Sequence, residues 1–298
     1  MDKKIIEHIR KLNMKAFAKI NIFLDLNYKK NDGYHDISSV MQSISLYDDI
    51  SLEIAARDIN ITCDVDNIPL DRKNTCYRAA EEIINRFKLN SGIKIDISKK
   101  IPSEAGLGGG SSDAAAVIQG MNILFDLKMD IDDMIEIGKT IGADIPFCLV
   151  GGTCLCEGIG EKITRLTEFN WQDLILIKPD LSISTPALYG KCTDKDYKLN
   201  NLDAFLKHIE YSDDITIVEN ISNTLETVAL RDYDIIDEIK QDLKMSGCIN
   251  SMMTGSGSVV VGFIKKGEKE KVMANLSKKY HEVYFTKTLS FDENRFFR

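Results

Sequence analysis

Nowhere in the 298 residues does an apolar run approach the ~20 residues needed to cross a bilayer. The opening stretch, MDKKIIEHIRKLNMKAFAKI, also lacks an apolar segment long enough for a signal-peptide core, so the chain reads as cytoplasmic and not membrane-bound. Positive charge is in deficit. Thirty-eight basic residues stand against 46 acidic ones, for a formal charge of −8. A general nucleic-acid or anionic-membrane binder needs broad positive potential, and this composition excludes it; any phosphate site must be local. The seven cysteines (63, 76, 148, 154, 156, 192, 248) are odd in number and have no paired spacing, so they read as buried thiols rather than a disulfide framework. Cys154 and Cys156 flank one residue, with no CxxC or histidine pair beside them to complete a zinc tetrahedron.

Internal repeats, low-complexity tracts and Gly/Ser-rich linkers are lacking too. With 44% hydrophobic and 28% charged residues, the chain is globular, and its length suits two domains. Residues 15–28 and 37–54 read as opening antiparallel strands joined across NDGYH. A helix is expected over 74–88 behind an Asn74 cap, then a strand at 93–98, a helix from about Ser111 to Phe125, and another at 131–141. Apolar stretches follow near 145–156 and 174–179. Helices near 217–230 and 234–245, a strand at 258–264, a polar helix near 267–280 and a strand at 281–289 complete the order, which is an α+β arrangement and not a regular βα repeat.

The most informative segment is IPSEAGLGGGSSDAAAVIQGMNILF. Gly106, Gly108, Gly109 and Gly110 leave the backbone free to curl its N–H groups toward one anion, with Pro102 fixing the approach. Ala114, Val117, Ile118, Met121, Leu124 and Phe125 make an apolar face on the helix behind it, whose N-terminus is a ready phosphate site. Ser111 and Ser112 offer hydroxyls to phosphate or to a magnesium ion. The lysine of GxxxxGK[ST] is missing, since Ser111 stands there, and the dinucleotide fingerprint fails at the same position. The bland reading is a flexible turn before an ordinary helix.

Four shorter segments have chemical potential. In Ala18-Lys19-Ile20-Asn21, strand alternation puts Lys19 and Asn21 on one face, which means a site or the solvated face of an edge strand. Asp144 is the one carboxylate in GADIPFC, and serves either chemistry or a helix cap. Asp32-Gly33-Tyr34-His35 is a hairpin turn followed by two rings able to stack on and hydrogen-bond a flat base. Met253 to Ser258, MTGSGS, is a small-residue turn that is either a tight connection or a loop facing substrate.

Taken in order, the AKIN strand, the PSEAGLGGGSSDAAA loop and the MTGSGS turn resemble the three motifs of the GHMP kinases, spread over most of the chain. DGYH after AKIN, the triple glycine and GADIPFC narrow the resemblance to the branch acting on a cytidine diphosphate-linked methylerythritol in non-mevalonate isoprenoid biosynthesis. The resemblance implies an N-terminal domain like domain 2 of ribosomal protein S5 over 1–160 and a ferredoxin-like domain over 161–298, the boundary falling within about ten residues. It implies ATP and Mg2+ as cofactors, a small-molecule acceptor, and a monomer or weak homodimer without nucleic-acid or membrane partners.

Roles carried over by the same resemblance put Lys19 and Asp144 at the reacting hydroxyl. Pro102, Gly106, Leu107, Gly108, Gly109, Gly110, Ser111 and Ser112 fall on ATP, with Ser112 a candidate metal ligand. Asn21, Tyr34, His35, Thr185 and Tyr189 fall on the acceptor. Departures from the family pattern stand at Asn31, where arginine is usual, at Ile159, where a basic residue is usual, and at Tyr189, where phenylalanine is more common. Two other readings remain open at this point: a GHMP kinase for homoserine or mevalonate, and a catalytically silent nucleotide sensor.

Overall fold

A computed structural model describes residues 10–294; the opening residues 1–9 considered above lie outside it. The first two strands are long: β1 (Lys11–Lys29) and β2 (His35–Ala55) form a hairpin closed at Lys29 and His35. Asp32 caps that turn by accepting from the Tyr34 N–H, and Gly33 takes φ +91°, the left-handed geometry for which Asp-Gly was selected. β3 (Ile59–Cys63), β4 (Gly92–Ser98), β5 (Thr153–Gly158), β6 (Lys162–Arg165) and the two-residue β8 (Ser222–Asn223) extend this sheet in the order β3-β4-β2-β1-β8. β5 pairs with the first half of β2 while β4 pairs with the second half, so one strand serves two neighbours.

Helices Thr75–Phe87, Gly109–Leu124 and Ile131–Ile141 cover one face of this sheet and share a core with Ile50, Leu52, Ile93 and Ile95. Asn74 caps the first helix as its sequence position suggests, its Oδ1 accepting from the Cys76 N–H at 2.8 Å, an arrangement worth about 1 kcal/mol. The glycine-led helix is buried nearly all round, with Ser112 through Ile118 inaccessible, rather than along one apolar face.

The second sheet joins β7 (Leu174–Lys178), β9 (Cys248–Met253), β10 (Val260–Ile264) and β11 (Glu282–Thr286) in the antiparallel order β11-β7-β10-β9. Helix Asp234–Ser246 leads into β9, and Lys269–Leu276 bridges β10 and β11. That βαββαβ order is the ferredoxin-like arrangement expected of the second half.

Residues 217–230 do not form one helix. The segment breaks into helices Asp214–Glu219 and Thr224–Ala229 around β8, because Ser222 and Asn223 add to the edge of β1 opposite Phe23 and Leu24. β1 is therefore internal at this point, and Lys19 and Asn21 are buried rather than on a solvated edge. Among the described residues, no helix is long and apolar enough to cross a membrane. The seven cysteines are free thiols, five of them buried, and burial pushes Cys148, Cys154 and Cys248 up to about 12, so they stay protonated at neutral pH.

Candidate active site

The chemistry is built from β1 outward. Its pairing with β2 shifts register between Phe17 and Lys19 and again between Asn21 and Phe23, so Lys19, Ile20 and Asn21 sit between two irregularities. Such bulges re-aim side chains, and here Lys19 and Asn21 both reach a cleft of about 1230 Å³ between the sheets. Lys19 is 4% exposed, and an ammonium so buried needs partners. It donates to Asn21 Oδ1 at 2.7 Å and stands 3.6 Å from Asp144 Oδ2, a separation at which the Coulomb attraction before solvent screening is about 5 kcal/mol at an effective dielectric of 20.

Asp144 occupies the N-cap position of helix Ile145–Val150, yet its carboxylate makes no capping hydrogen bond. The bland explanation for this acid therefore fails. The side chain turns toward Lys19 and the cleft and stays about one-third exposed.

Two glycine-bearing segments close around this pair. Lys19 N–H donates to the Leu107 carbonyl at 3.0 Å, and the Asn21 N–H to Thr254 Oγ1 at 2.9 Å, which ties the opening strand to both the glycine-rich loop and the MTGSGS turn. Asn21 Nδ2 continues the network to Ser39 Oγ. Gly106 has φ +76°, and a Cβ there would lie 2.2 Å from the Thr254 carbonyl oxygen; Gly108 has φ +69°, and its Cβ would lie 3.0 Å from the Lys19 side chain. Both positions require glycine for conformation and for room.

Gly108 is the N-cap of the helix Gly109–Leu124, and its carbonyl accepts from the Ser111 and Ser112 N–H groups. The helix N-terminus opens on the cleft, with Gly109, Gly110 and Ser111 on the wall. Pro102, Gly106, Gly108, Tyr34, His35, Thr185 and Tyr189 line the same cavity, as do Gly255 and Ser256.

Leu107 lines the cavity as well, its side chain packed against the core and its carbonyl accepting from the Lys19 N–H. One expected nucleotide residue is placed differently. Ser112 is fully buried, and its Oγ donates to the Phe17 carbonyl at 2.6 Å, so the structure does not bring it to phosphate or metal; one step along the helix, Ser111 faces the cleft. Of the two departures in surrounding loops, Ile159 lines the cavity with an apolar side chain.

At the far end of the cleft His35 is buried and its Nε2 has no hydrogen-bond partner. Burial, reinforced by Lys29, lowers its pKa below the ordinary histidine value, which keeps the ring neutral at pH 7. Its centroid lies 5.0 Å from that of Tyr189 and 6.0 Å from that of Tyr197. Tyr34, by contrast, is 62% exposed at the mouth. Thr185 Oγ1 and Ser256 Oγ are 2.7 Å apart and tie the helix Thr185–Gly190 to the MTGSGS turn.

Sequence reasoning missed one charged group at this site. Under the glycine loop, Lys99 lies between Asp48 and Asp113, with all three buried; Nζ is 2.8 Å from Asp113 Oδ2. One ammonium between two carboxylates leaves a net negative charge, and Asp113 Oδ1 has no donor. Burial, with Asp48 nearby, pushes the Asp113 carboxyl up to about 7 against the pull of Lys99.

The sign of the linkage follows. The folded state binds a proton at Asp113 that the unfolded state releases near pH 4, so this contribution to stability is complete below about pH 4 and lost as pH rises through about 7. Asp113→Asn should remove that decline. Thermal melts at pH 5 and pH 8 should show the wild type losing on the order of 2–3 kcal/mol more than the variant across this window. Equal losses would mean that Asp113 does not titrate there.

Comparison with known proteins agrees with the geometry. The family model for the GHMP kinases N terminal domain matches residues 74–152, and that for the GHMP kinases C terminal domain matches residues 199–282. The chain belongs to the GHMP kinase family. It is 43% identical over 287 residues to a 4-diphosphocytidyl-2-C-methyl-D-erythritol kinase of Caldicellulosiruptor saccharolyticus, covering 95% of this chain and 98% of that one. A protein of the same name from Clostridium acetobutylicum is 42% identical, covering 93% and 100%. Among solved structures, a 4-(cytidine 5'-diphospho)-2C-methyl-D-erythritol kinase superposes with a TM-score of 0.77 at 26% identity, covering 93% of this chain and 99% of that one. The homoserine kinase of Cytophaga hutchinsonii shares the fold at a TM-score of 0.72 and 17% identity, covering 95% and 97%.

Proposed function

We propose that the chain transfers the γ-phosphoryl group of ATP to the 2-hydroxyl of 4-diphosphocytidyl-2-C-methyl-D-erythritol, a step of non-mevalonate isoprenoid precursor biosynthesis in the cytoplasm. The observation that carries this reading is one cleft joining three parts: a Cβ-free phosphate loop, a lysine–aspartate pair, and a slot walled by His35 and Tyr189. The 4-diphosphocytidyl-2-C-methyl-D-erythritol kinases that it resembles over almost its full length support the choice of acceptor over homoserine or mevalonate.

Phosphoryl transfer asks a protein mainly for positioning and charge stabilisation. Asp144, free of capping duty and facing the cleft, accepts the proton of the acceptor hydroxyl as its oxygen attacks phosphorus. Lys19 holds Asp144 in place and stabilises charge on the reacting oxygens, while Asn21 orients the Lys19 ammonium through its Oδ1. The amides of residues 108–111 and the helix N-terminus take the ATP phosphates. His35 presents an unpartnered nitrogen to the edge of cytosine, and Tyr189 and Tyr34 offer their faces to the ring.

Among the described residues, no group of three or more His, Cys, Asp or Glu side chains could hold a metal ion. Asp144 and Ser111, which line the cleft beside the glycine-rich loop, would hold a magnesium ion brought with the nucleotide. When bound, it neutralises phosphate charge. The two halves of the chain, divided near residue 160, would each supply one wall of the cleft, and a monomer suffices for the chemistry.

The discriminating experiment is inhibition by CDP. CDP should compete with the acceptor and not with ATP, and neither homoserine nor mevalonate should be phosphorylated. If CDP does not compete and one of those alcohols turns over, the acceptor assignment is wrong.

A further inference from the structure

Tyr197 packs against the His35 ring without lining the cleft itself; it belongs to no motif, and no role follows for it from the family resemblance. Its ring lies 6.0 Å from that of His35 and inclined to it by only 21°, a near-parallel offset contact; the contact of His35 with Tyr189 is closer but tilted by 40°. Parallel offset packing fixes the plane of a ring, and the plane of His35 decides where its unpartnered Nε2 points.

The backbone around Tyr197 is pinned on both sides. Before it, the short 3-10 turn Asp194–Asp196 is closed by a reciprocal cap with Thr193, and the Asp196 carboxylate takes a two-pronged hydrogen bond from Arg231. After it, Lys198 N–H donates to the Leu26 carbonyl at 2.8 Å, and the N–H groups of Leu199 and Asn200 donate to the buried carboxylate of Asp25 at 3.3 and 3.0 Å. Thr224 Oγ1 donates to the same carboxylate, and Asn200 Nδ2 to Thr224 Oγ1. The 193–200 segment is thereby clamped to the end of β1, whose hairpin partner begins at His35.

A loop that served only as a connection would not need a buried carboxylate on one side and an arginine fork on the other. Burial costs Asp25 its hydration, and three hydrogen bonds from this loop and Thr224 offset that cost. What the clamp fixes in space is the ring between the two anchors.

We infer that Tyr197 is a positioning residue for acceptor specificity: held by the Asp25 and Asp196 anchors, it sets the plane of the His35 imidazole so that Nε2 meets the hydrogen-bonding edge of the base. The inference rests on the cytosine reading proposed above. Ring stacking and not the phenol does this, so a phenylalanine should suffice. The phenolic oxygen has no part in the chemistry, and turnover at saturating acceptor should not depend on it.

The test is steady-state kinetics with CDP inhibition for Tyr197→Phe, Tyr197→Leu and His35→Ala, with a thermal melt of each. Leucine keeps apolar bulk but has no plane, which guards against an alanine variant that fails to fold. Tyr197→Leu should raise the acceptor KM and the CDP inhibition constant by about five- to twentyfold, leaving kcat and the KM for ATP within about twofold. Tyr197→Phe should behave as wild type. A melting-temperature loss in Tyr197→Leu without change in the CDP constant would make the residue merely structural and overturn the inference. An unchanged CDP constant in Tyr197→Leu together with a raised one in His35→Ala would do the same while leaving the cytosine reading intact. Wild-type enzyme that CDP does not inhibit at all would overturn the cytosine reading, and the role of Tyr197 with it.

Discussion

Asp144→Asn should lower kcat by roughly 10²-fold or more while leaving ATP affinity within a few-fold of wild type, because it removes a proton acceptor and almost no volume. The carboxylate is the group to test since the structure has stripped it of its ordinary duty: it stands at an N-cap position without capping, 3.6 Å from a buried lysine. Asparagine can keep the contact with solvent and with neighbouring amides, but it cannot take a proton from an alcohol.

Lys19→Ala should cost a similar factor for a different reason. It leaves Asn21 Oδ1 without its donor and the cleft without the ammonium beside Asp144 that is proposed to stabilise charge on the reacting oxygens. Since the two side chains act as a unit, the double variant should be little worse than either single one. Single-turnover rates with saturating ATP and acceptor, measured beside ATP titration, check each part. A near-normal rate in Asp144→Asn would remove this residue from the mechanism. Simple additivity would show that the pair does not cooperate.

Gly108→Val should weaken ATP binding by more than about tenfold and also reduce turnover. At φ +69° a β-branched side chain is strained by about 1–3 kcal/mol, and its Cβ would lie 3.0 Å from the Lys19 side chain, so the substitution disturbs the glycine-rich loop and Lys19 together. Gly110→Ala is the contrasting case. Its Cβ would lie 3.4 Å from Thr75 Oγ1, an ordinary contact in the first turn of a helix, and it should bind ATP with a loss of only a few-fold. Calorimetric ATP titration alongside thermal melting separates lost binding from lost fold. A folded Gly108→Val protein with wild-type ATP affinity would show that the loop is only a turn.

The parts of this account that were legible in the sequence share a cause: their chemistry is local. A run of glycines before an alanine-rich helix, an Asp-Gly turn between alternating strands and an asparagine ahead of an amphipathic helix each specify geometry within a few residues, and the structure places them as read. What escaped depends on residues distant in the chain. Lys99, Asp48 and Asp113 meet from three separate segments, and only the fold brings their charges together. Tyr197 meets His35 across 161 intervening positions for the same reason.

Ser111 and Ser112 illustrate a finer limit. Neighbours on a helix point about 100° apart, so one must face the cleft and the other the sheet, and two identical side chains cannot reveal which. The Phe17 carbonyl decides it by taking the Ser112 hydroxyl. The helix expected over 217–230 fails because the free edge of β1 at Phe23 and Leu24 is a stronger local claim on Ser222 and Asn223 than their own helical spacing. Helix Leu202–Tyr211 went unread although Asn201 caps it, since only Phe205 and Ile209 are buried and its apolar face is narrow.

The most direct test of the central claim is the phosphorus NMR spectrum of the reaction itself, with 4-diphosphocytidyl-2-C-methyl-D-erythritol, ATP, magnesium and catalytic amounts of the protein. The account predicts a new phosphomonoester resonance growing in step with ADP, coupled to the 2-position of the methylerythritol unit, and absent with Asp144→Asn over the same period. ADP formed without that resonance, or the resonance undiminished in Asp144→Asn, would contradict it.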